Sequence, residues 1–286
     1  GTMNPAMEKP GKRRMGAAVA LICLLVAVIY GNSLNGSWHF DDYKNIVGNE
    51  NIQLTQWAWT EIVKSFQGIP GVDMKRPLPY FSFALNHYVH GFDVVGFHLV
   101  NIGIHAITAI LLYLFLYRVL RLPLAGNHPS RHAHAIALLA SVFWVVNPVQ
   151  VSSVTYIVQR MTSMAAMFYL IAMLSYLEAR TATGIGRRVL FFGVCLAGAL
   201  GAVLSKANAS MLPVVLLVFE FLLIRGVDGT KGKQIVLWMV FPFVLVLLAG
   251  FYFTNVSDLL KGYGERPFTL LQRLLTEPRV LLFYMS

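Results

Sequence analysis

Seven stretches of this chain are apolar enough, for long enough, to belong in hydrocarbon. They run near residues 15–31, 96–120, 133–148, 158–179, 188–204, 207–225 and 234–254, the third being the short one. Each approaches the ~20 residues that a helix needs to cross a bilayer core. A spanning helix satisfies its own backbone, so the expected fold class is all-α, a multi-pass membrane protein. Only 13% of the 286 residues are charged and 57% are hydrophobic, against about 25% charged in an ordinary soluble domain.

The formal net charge of +10 could suggest a nucleic-acid partner, but the basic residues are scattered among short loops. No basic stripe with interleaved aromatics exists, so no nucleic acid is expected and the lipid bilayer is the first partner. Cys23 and Cys195 both fall inside apolar runs and form neither a disulfide framework nor a metal-type cluster.

Gly1 and Thr2 ahead of Met3 read as a cloning remnant. Residues 1–14 form a basic tail carrying Lys9, Lys12, Arg13 and Arg14, and the first apolar run lacks a convincing small-residue cleavage site, so it is read as a retained span. Placing this tail in the cytoplasm also places Arg118, Arg121, Arg131, Arg180, Arg187, Arg188, Arg225, Lys231 and Lys233 there, as the positive-inside bias requires. Residues 32–95, 149–157, 205–206 and 255 onward then lie outside, with most of the acids: Asp41, Asp42, Glu50, Glu61, Asp73, Asp93, Asp258, Glu265 and Glu277. Residues 15–286 are expected to form one transmembrane domain. The chain stops at Ser286, a few residues into a further apolar run after Arg279 that reads as another span, so a carboxy-terminal remainder is expected.

Loop 32–95 is too long to be a mere connector. Residues 54–66 space their apolar side chains as an interfacial helix with a Trp-rich face, from Trp57 and Trp59. Gly68–Gly71 breaks it, and Arg76-Pro77-Leu78-Pro79 starts a second helix running through Tyr88. His87 and His90, three apart, are a weak chelating pair.

The loop opens on Trp38-His39-Phe40-Asp41-Asp42-Tyr43-Lys44-Asn45-Ile46. With a reference pKa near 3.9, at least one of Asp41 and Asp42 is ionised at neutral pH, able to take a proton from an acceptor hydroxyl or to hold a divalent cation. A helix cap or solvated loop acid is the plainer alternative. Adjacent side chains point different ways, which favours one catalytic member over a symmetrical dyad.

His98, Asn101 and His105 recur at helical spacing near the outer half of the second span. His98 and His105 are about 10.5 Å apart in helix rise, too far to share one metal, and interhelical hydrogen bonding is the better reading. Arg160 and Lys206 open the fourth and sixth spans on the outer side, where two cations beside helix amino termini suit a phosphate; snorkelling is the alternative for either alone. Gly193, Ala197 and Gly201 should form a close-packing face, Pro213 and Pro242 should bend their helices, and Glu220 either pairs with Arg225 or approaches the interface.

Phe40-Asp41-Asp42, Arg76-Pro77-Leu78, Gly96-Phe97-His98-Leu99-Val100-Asn101 with His105, Asn147-Pro148-Val149-Gln150, Arg160, and Ser205-Lys206 occur in an order that resembles the transmembrane part of the TMTC-type protein O-mannosyltransferases and their bacterial relatives, of the GT-C superfamily. The similarity covers residues 15–286 and rests on the ordered set. It departs from the family pattern at Ala207, where relatives often carry an acid, and after Arg160, where they continue Ala-Asp.

The resemblance implies a GT-C-like helical bundle that moves a sugar from a polyprenyl-phosphate carrier to a protein or glycan acceptor outside the cytoplasm. On that reading Asp42 or Asp41 is the base, Arg160 and Lys206 hold the carrier phosphate, and Arg76, His98, Asn101 and His105 support them. A flippase for lipid-linked sugars should show internal repeats and midplane binding residues, which the sequence lacks; a non-catalytic scaffold is the other rival. Asn35, Asn208 and Asn255 each begin an Asn-x-Ser sequon on the expected outer side, and glycans at the first two would crowd the site. That favours a bacterial inner membrane over the endoplasmic reticulum.

Overall fold

The computed structural model describes residues 11–70, 76–122, 130–225 and 267–285, in two compact units that divide after Gly226. The expected span 234–254 with Pro242, the sequon at Asn255, and Lys9, Asp73, Lys231, Lys233, Asp258 and Glu265 lie outside the described residues. No strand occurs among the described residues, and the fold is all-α.

The first unit contains α1 (Lys12–Tyr30), α2 (Trp59–Ser65), α3 (Pro77–His90), α4 (Val94–Val119), α5 (Ala133–Val146), α6 (Val151–Thr155), α7 (Arg160–Thr181), α8 (Ile185–Ser205) and α9 (Leu212–Phe219). Among the described residues five helical stretches are long and apolar enough to cross a membrane: 12–35, 94–119, 157–181, 185–205 and 207–224. A sixth is α5 joined to Pro148–Thr155 across a 56° bend. Its cause is local. Asn147 precedes a proline, which disfavours the helical region, and it takes an extended conformation while its side chain caps the N–H of Val149. The second unit contributes α10 (Leu270–Met285), which runs through Pro278.

Ala18, Ile22, Val26 and Tyr30 recur every four residues along α1 and bury against Ala109, Tyr113 and Tyr117 of α4 and Ala133, Ala137 and Val145 of α5. Leu24, Val28, Leu139, Phe143 and Leu196 point outward, as side chains bathed in hydrocarbon do. Helices α7 and α8 pack along most of their length. Their close face differs from the expected one: Gly193 and Ala197 are exposed, and the contact runs through Cys195, Gly198, Gly201, Ala202 and Ser205. A Cβ on Gly198 would stand 3.0 Å from the Ala172 backbone nitrogen and 3.1 Å from the Phe168 carbonyl oxygen. A triple at i, i+4 spacing marks a stripe of small residues without saying which flank meets the neighbour. Glu220 is buried and pairs with Arg180 at 2.6 Å, with the Tyr176 hydroxyl donating at 2.9 Å.

In the long loop, the helix expected over 54–66 forms only at Trp59–Ser65. The N–H groups of Thr55 and Gln56 instead donate to the Glu61 carboxylate at 3.0 and 3.1 Å, which wraps the chain back on the first turn. Helix α3 runs two residues past the expected end at Tyr88, to His90, where Gly91 at φ 59° stops it. The loop, the bend at Asn147–Gln159 and the link between α8 and α9 meet at one end of the bundle, where Asp42, Val158, Thr162 and Lys206 are joined by hydrogen bonds.

Candidate active site

The two adjacent aspartates have opposite surroundings, and the preceding residue shows why. Phe40 sits at φ 38°, a left-handed conformation uncommon for a bulky side chain. It turns the chain into a helical turn in which neighbouring side chains diverge by about 100°. Asp42 faces inward with no exposed surface. Its Oδ1 accepts the N–H of Val158 at 2.7 Å and its Oδ2 the N–H of His39 at 3.0 Å. Burial pushes the Asp42 carboxyl above the usual aspartate value, and the two backbone donors offset part of that. Asp41 is exposed. Its N–H donates to the Tyr156 hydroxyl at 2.9 Å, and its carbonyl accepts from Asn45 at 2.8 Å.

Asp41 lines a cavity of about 400 Å³ together with Lys44, Arg76 and Lys206. Arg76 stands at the entrance to α3 because Pro77 forces it out of the helical region. Its Nη1 points at Met161 Sδ, 2.9 Å away, a weak acceptor, and among the described residues no carboxylate pairs with it. Lys206 is extended between the end of α8 and the turn that starts at Ala207. Its Nζ donates to Thr162 Oγ1 at 2.7 Å, and that hydroxyl donates to Gln159 Oε1 at 2.8 Å. Burial first, and then repulsion from Arg76, pull the Lys206 ammonium below the usual lysine value. Among the described residues no ion pair joins Asp41 to these cations. Gln159, Met161 and Thr162 bring the amino end of α7 to the same wall, adding its dipole and free N–H groups.

Arg160 faces elsewhere. It is fully buried, and its Nε and Nη1 donate to Asn101 Oδ1 at 2.7 Å and Asn86 Oδ1 at 2.6 Å. Its Nη2 donates to the Phe97 carbonyl at 2.9 Å, and its guanidinium lies 4.6 Å from the Phe83 ring centroid. Neutral dipoles and an aromatic face hold this charge; among the described residues no carboxylate does. Asn101 also donates to the carbonyls of Val154 and Ile157, tying α4 to the bend. His105 packs edge-on to Tyr30 and stacked on Trp144.

His98 lines a second cavity of about 350 Å³ with His39, Asn32, Thr155 and Tyr156. It is 1% exposed, and neither ring nitrogen has a hydrogen-bond partner. No Asp, Glu, Lys or Arg lines this cavity among the described residues. The wall between the two cavities is made of two crossing segments: His39 and Tyr156 face the neutral side, Asp41 and Val158 the charged side.

Sequence reasoning missed Tyr156, Tyr80, Asn45 and Thr162, all of which contact this machinery. Thr162, two residues past Arg160, could have been found as the first polar position of α7 after it, but only with the helix rotation known. A resident divalent cation does not fit the charged cavity. Among the described residues Asp41 is its one acid, beside three cations, and both Asp42 oxygens are committed to backbone donors. Among the described residues no three His, Cys, Asp or Glu side chains gather to hold a metal.

The fold and these two cavities define a multi-pass, all-α membrane protein with a cation-rich polar site at one end of its bundle. The chain is related to the TMTC-type proteins. It is 31% identical over 223 residues to Protein O-mannosyl-transferase TMTC4 of Mus musculus, covering 73% of this chain and 29% of that protein. It is 26% identical over 263 residues to TMTC3 of Homo sapiens, covering 90% of this chain and 25% of that one. Against Tmtc2 of Drosophila melanogaster the identity is 30% over 232 residues, 78% of this chain and 23% of the relative. The chain thus spans between 23% and 29% of the length of these three curated relatives. No family model matches the chain, and no solved structure matches it.

Proposed function

We propose that this chain is the membrane-embedded part of a glycosyltransferase that moves a sugar, mannose in its relatives' names, from a polyprenyl-phosphate carrier to a protein hydroxyl on the extracytoplasmic face. The observation that carries the reading is Asp41, in no ion pair among the described residues, sharing one cavity with Arg76 and Lys206. Two cations that face no carboxylate partner among the described residues, beside a helix amino terminus, suit a phosphate, and the exposed acid in the same cavity suits a base. In a single displacement Asp41 takes the acceptor hydroxyl's proton while the acceptor oxygen bonds to the anomeric carbon. The bond from that carbon to the carrier phosphate breaks, and its electron pair stays on the phosphate, where Lys206 and Arg76 stabilise the growing charge. The anomeric centre inverts.

Asp42 positions the base from behind, and Arg160 moves in this account from phosphate ligand to internal brace for the bend. The neutral cavity lies across the Asp41–Tyr156 wall from this base, so the acceptor hydroxyl must enter on the side that Asp41 lines. The chain is an integral membrane protein; a bacterial inner membrane is our preferred setting, and the endoplasmic reticulum is the setting if the source is eukaryotic. A flippase remains the second reading, disfavoured because the charged residues of the cavities lined by Asp41 and by Arg118 stand at the ends of the bundle and not at mid-bundle.

Titration with farnesyl phosphate and with farnesol tests the phosphate site without needing an acceptor. The phosphate should bind at least tenfold tighter to the wild-type chain than to Lys206→Ala or Arg76→Ala, and farnesol should not discriminate. Equal binding of both probes to all three proteins would reject the site. Sugar transfer tests the base: Asp41→Asn should abolish it while the chain stays folded, and intact transfer by that variant would reject the assignment.

A further inference from the structure

At the end of the bundle away from Asp41, α4 and α7 finish and α8 begins, and between them lies a cavity of about 520 Å³. Arg118 enters it from α4, Arg121 from just past the end of α4 and Arg187 from α8, and among the described residues Glu178 of α7 is the one acid on its walls. The remaining walls are largely apolar, with Leu114, Leu174 and Phe191 among them. Arg118 Nε meets Glu178 Oε1 at 2.6 Å, and the arginine is held by this one edge while the carboxylate is mostly covered. Arg187 lies 6.0 Å from the Phe191 ring centroid. Arg121 rests on Tyr117 and donates to its hydroxyl. Helix α8 starts at Gly184 with no side-chain cap, so its first N–H groups and positive dipole end add to the same field.

Arginines at a helix carboxyl end can simply offset its dipole, and arginines at a membrane boundary can simply reach for headgroups. Neither effect needs a concavity, and neither gathers guanidiniums from two helices across one. We infer that this cavity is a binding site for an anionic glycerophospholipid, its phosphate held between Arg118 and Arg187 and its acyl chains running down the apolar wall. The planar fork of arginine matches a phosphodiester's paired oxygens, and basic pockets between spanning helices are where such headgroups lodge. The apolar wall selects a lipid over a free phosphate, which has nothing to bury there. Glu178 sets the strength: it fixes the Arg118 fork and offsets that arginine's charge.

Native mass spectrometry of the full chain, with phosphatidylglycerol and phosphatidylcholine supplied in equal amounts, tests this. The wild-type chain should retain phosphatidylglycerol at least fivefold over phosphatidylcholine. The double variant Arg118→Gln/Arg187→Gln should bring that ratio within twofold. Arg188→Gln should leave it unchanged, since that guanidinium turns to the Ala182 carbonyl at 3.3 Å. Glu178→Gln should raise it, which keeps the test alive if the double variant does not fold. Equal retention by the wild type, or a ratio unmoved in both cavity variants, overturns the site. Displacement of the bound lipid by inorganic phosphate at equal concentration overturns the lipid in favour of a soluble anion.

Discussion

Asp42 Oδ1 accepts the backbone N–H of Val158 at 2.7 Å, although 116 residues separate them. The same carboxylate accepts from His39, so one buried side chain fastens the long loop to the segment that precedes α7. Asp42→Asn leaves one of these donors facing an amide nitrogen, and a buried donor without its acceptor costs about 1–3 kcal/mol. Thermal unfolding in detergent should show that loss. Because burial raises the folded carboxyl above its unfolded value, the native state binds more protons just above the ordinary aspartate range. Stability should therefore fall as pH rises through that window, and Asp42→Asn should remove the slope.

Lys206 has the opposite linkage. Its folded ammonium titrates below the ordinary lysine value of about 10.4. Between the folded and unfolded values the unfolded chain binds more protons, so stability of the ligand-free protein rises with pH there. Affinity for farnesyl phosphate should drop across the same window, since the neutral amine has no charge to offer. In Lys206→Arg that drop should move beyond the measurable range; an unmoved drop would assign the titration to another group.

Arg160→Lys separates a brace from a phosphate ligand. A lysine keeps the charge but cannot satisfy Asn101, Asn86 and the Phe97 carbonyl together. Each hydrogen bond lost from this buried charged group costs about 1.5–3 kcal/mol, so we expect poor folding yield and an early unfolding transition. A variant that folds like the wild type yet loses prenyl-phosphate affinity would return Arg160 to the phosphate.

Gly198→Ala probes the contact between α7 and α8. The added methyl meets Ala172 and Phe168 backbone atoms near 3 Å, which cannot swing aside as a side chain can. Overpacking of this kind costs about 1–3 kcal/mol. Since Lys206 follows α8 and Thr162 rides on α7, phosphate affinity should fall with it, whereas Gly193→Ala, with open space around it, should change neither.

The spans were legible because hydropathy over some twenty residues outweighs any local preference; within the described residues each expected run corresponds to a helix. Which of two neighbouring aspartates faces the cavity was not, since the identity of the residues is the same and a backbone angle at Phe40 decides it. Arg160 and Thr162 differ by two positions on one helix, about 200° of rotation, and no periodic signal in α7 reveals which of them the neighbours cover. Arg76 was marked only as a supporting group, although the two prolines beside it already fixed its place at a helix entrance.

The polar wall between the cavities bears on how substrates come and go. A loop fastened at Asp42 cannot swing as a lid from the end of the first span without dismantling the very partition that keeps Asp41 in place. Carrier and acceptor must then meet on the side that Asp41 lines, entering past a loop that frames the opening and does not close it.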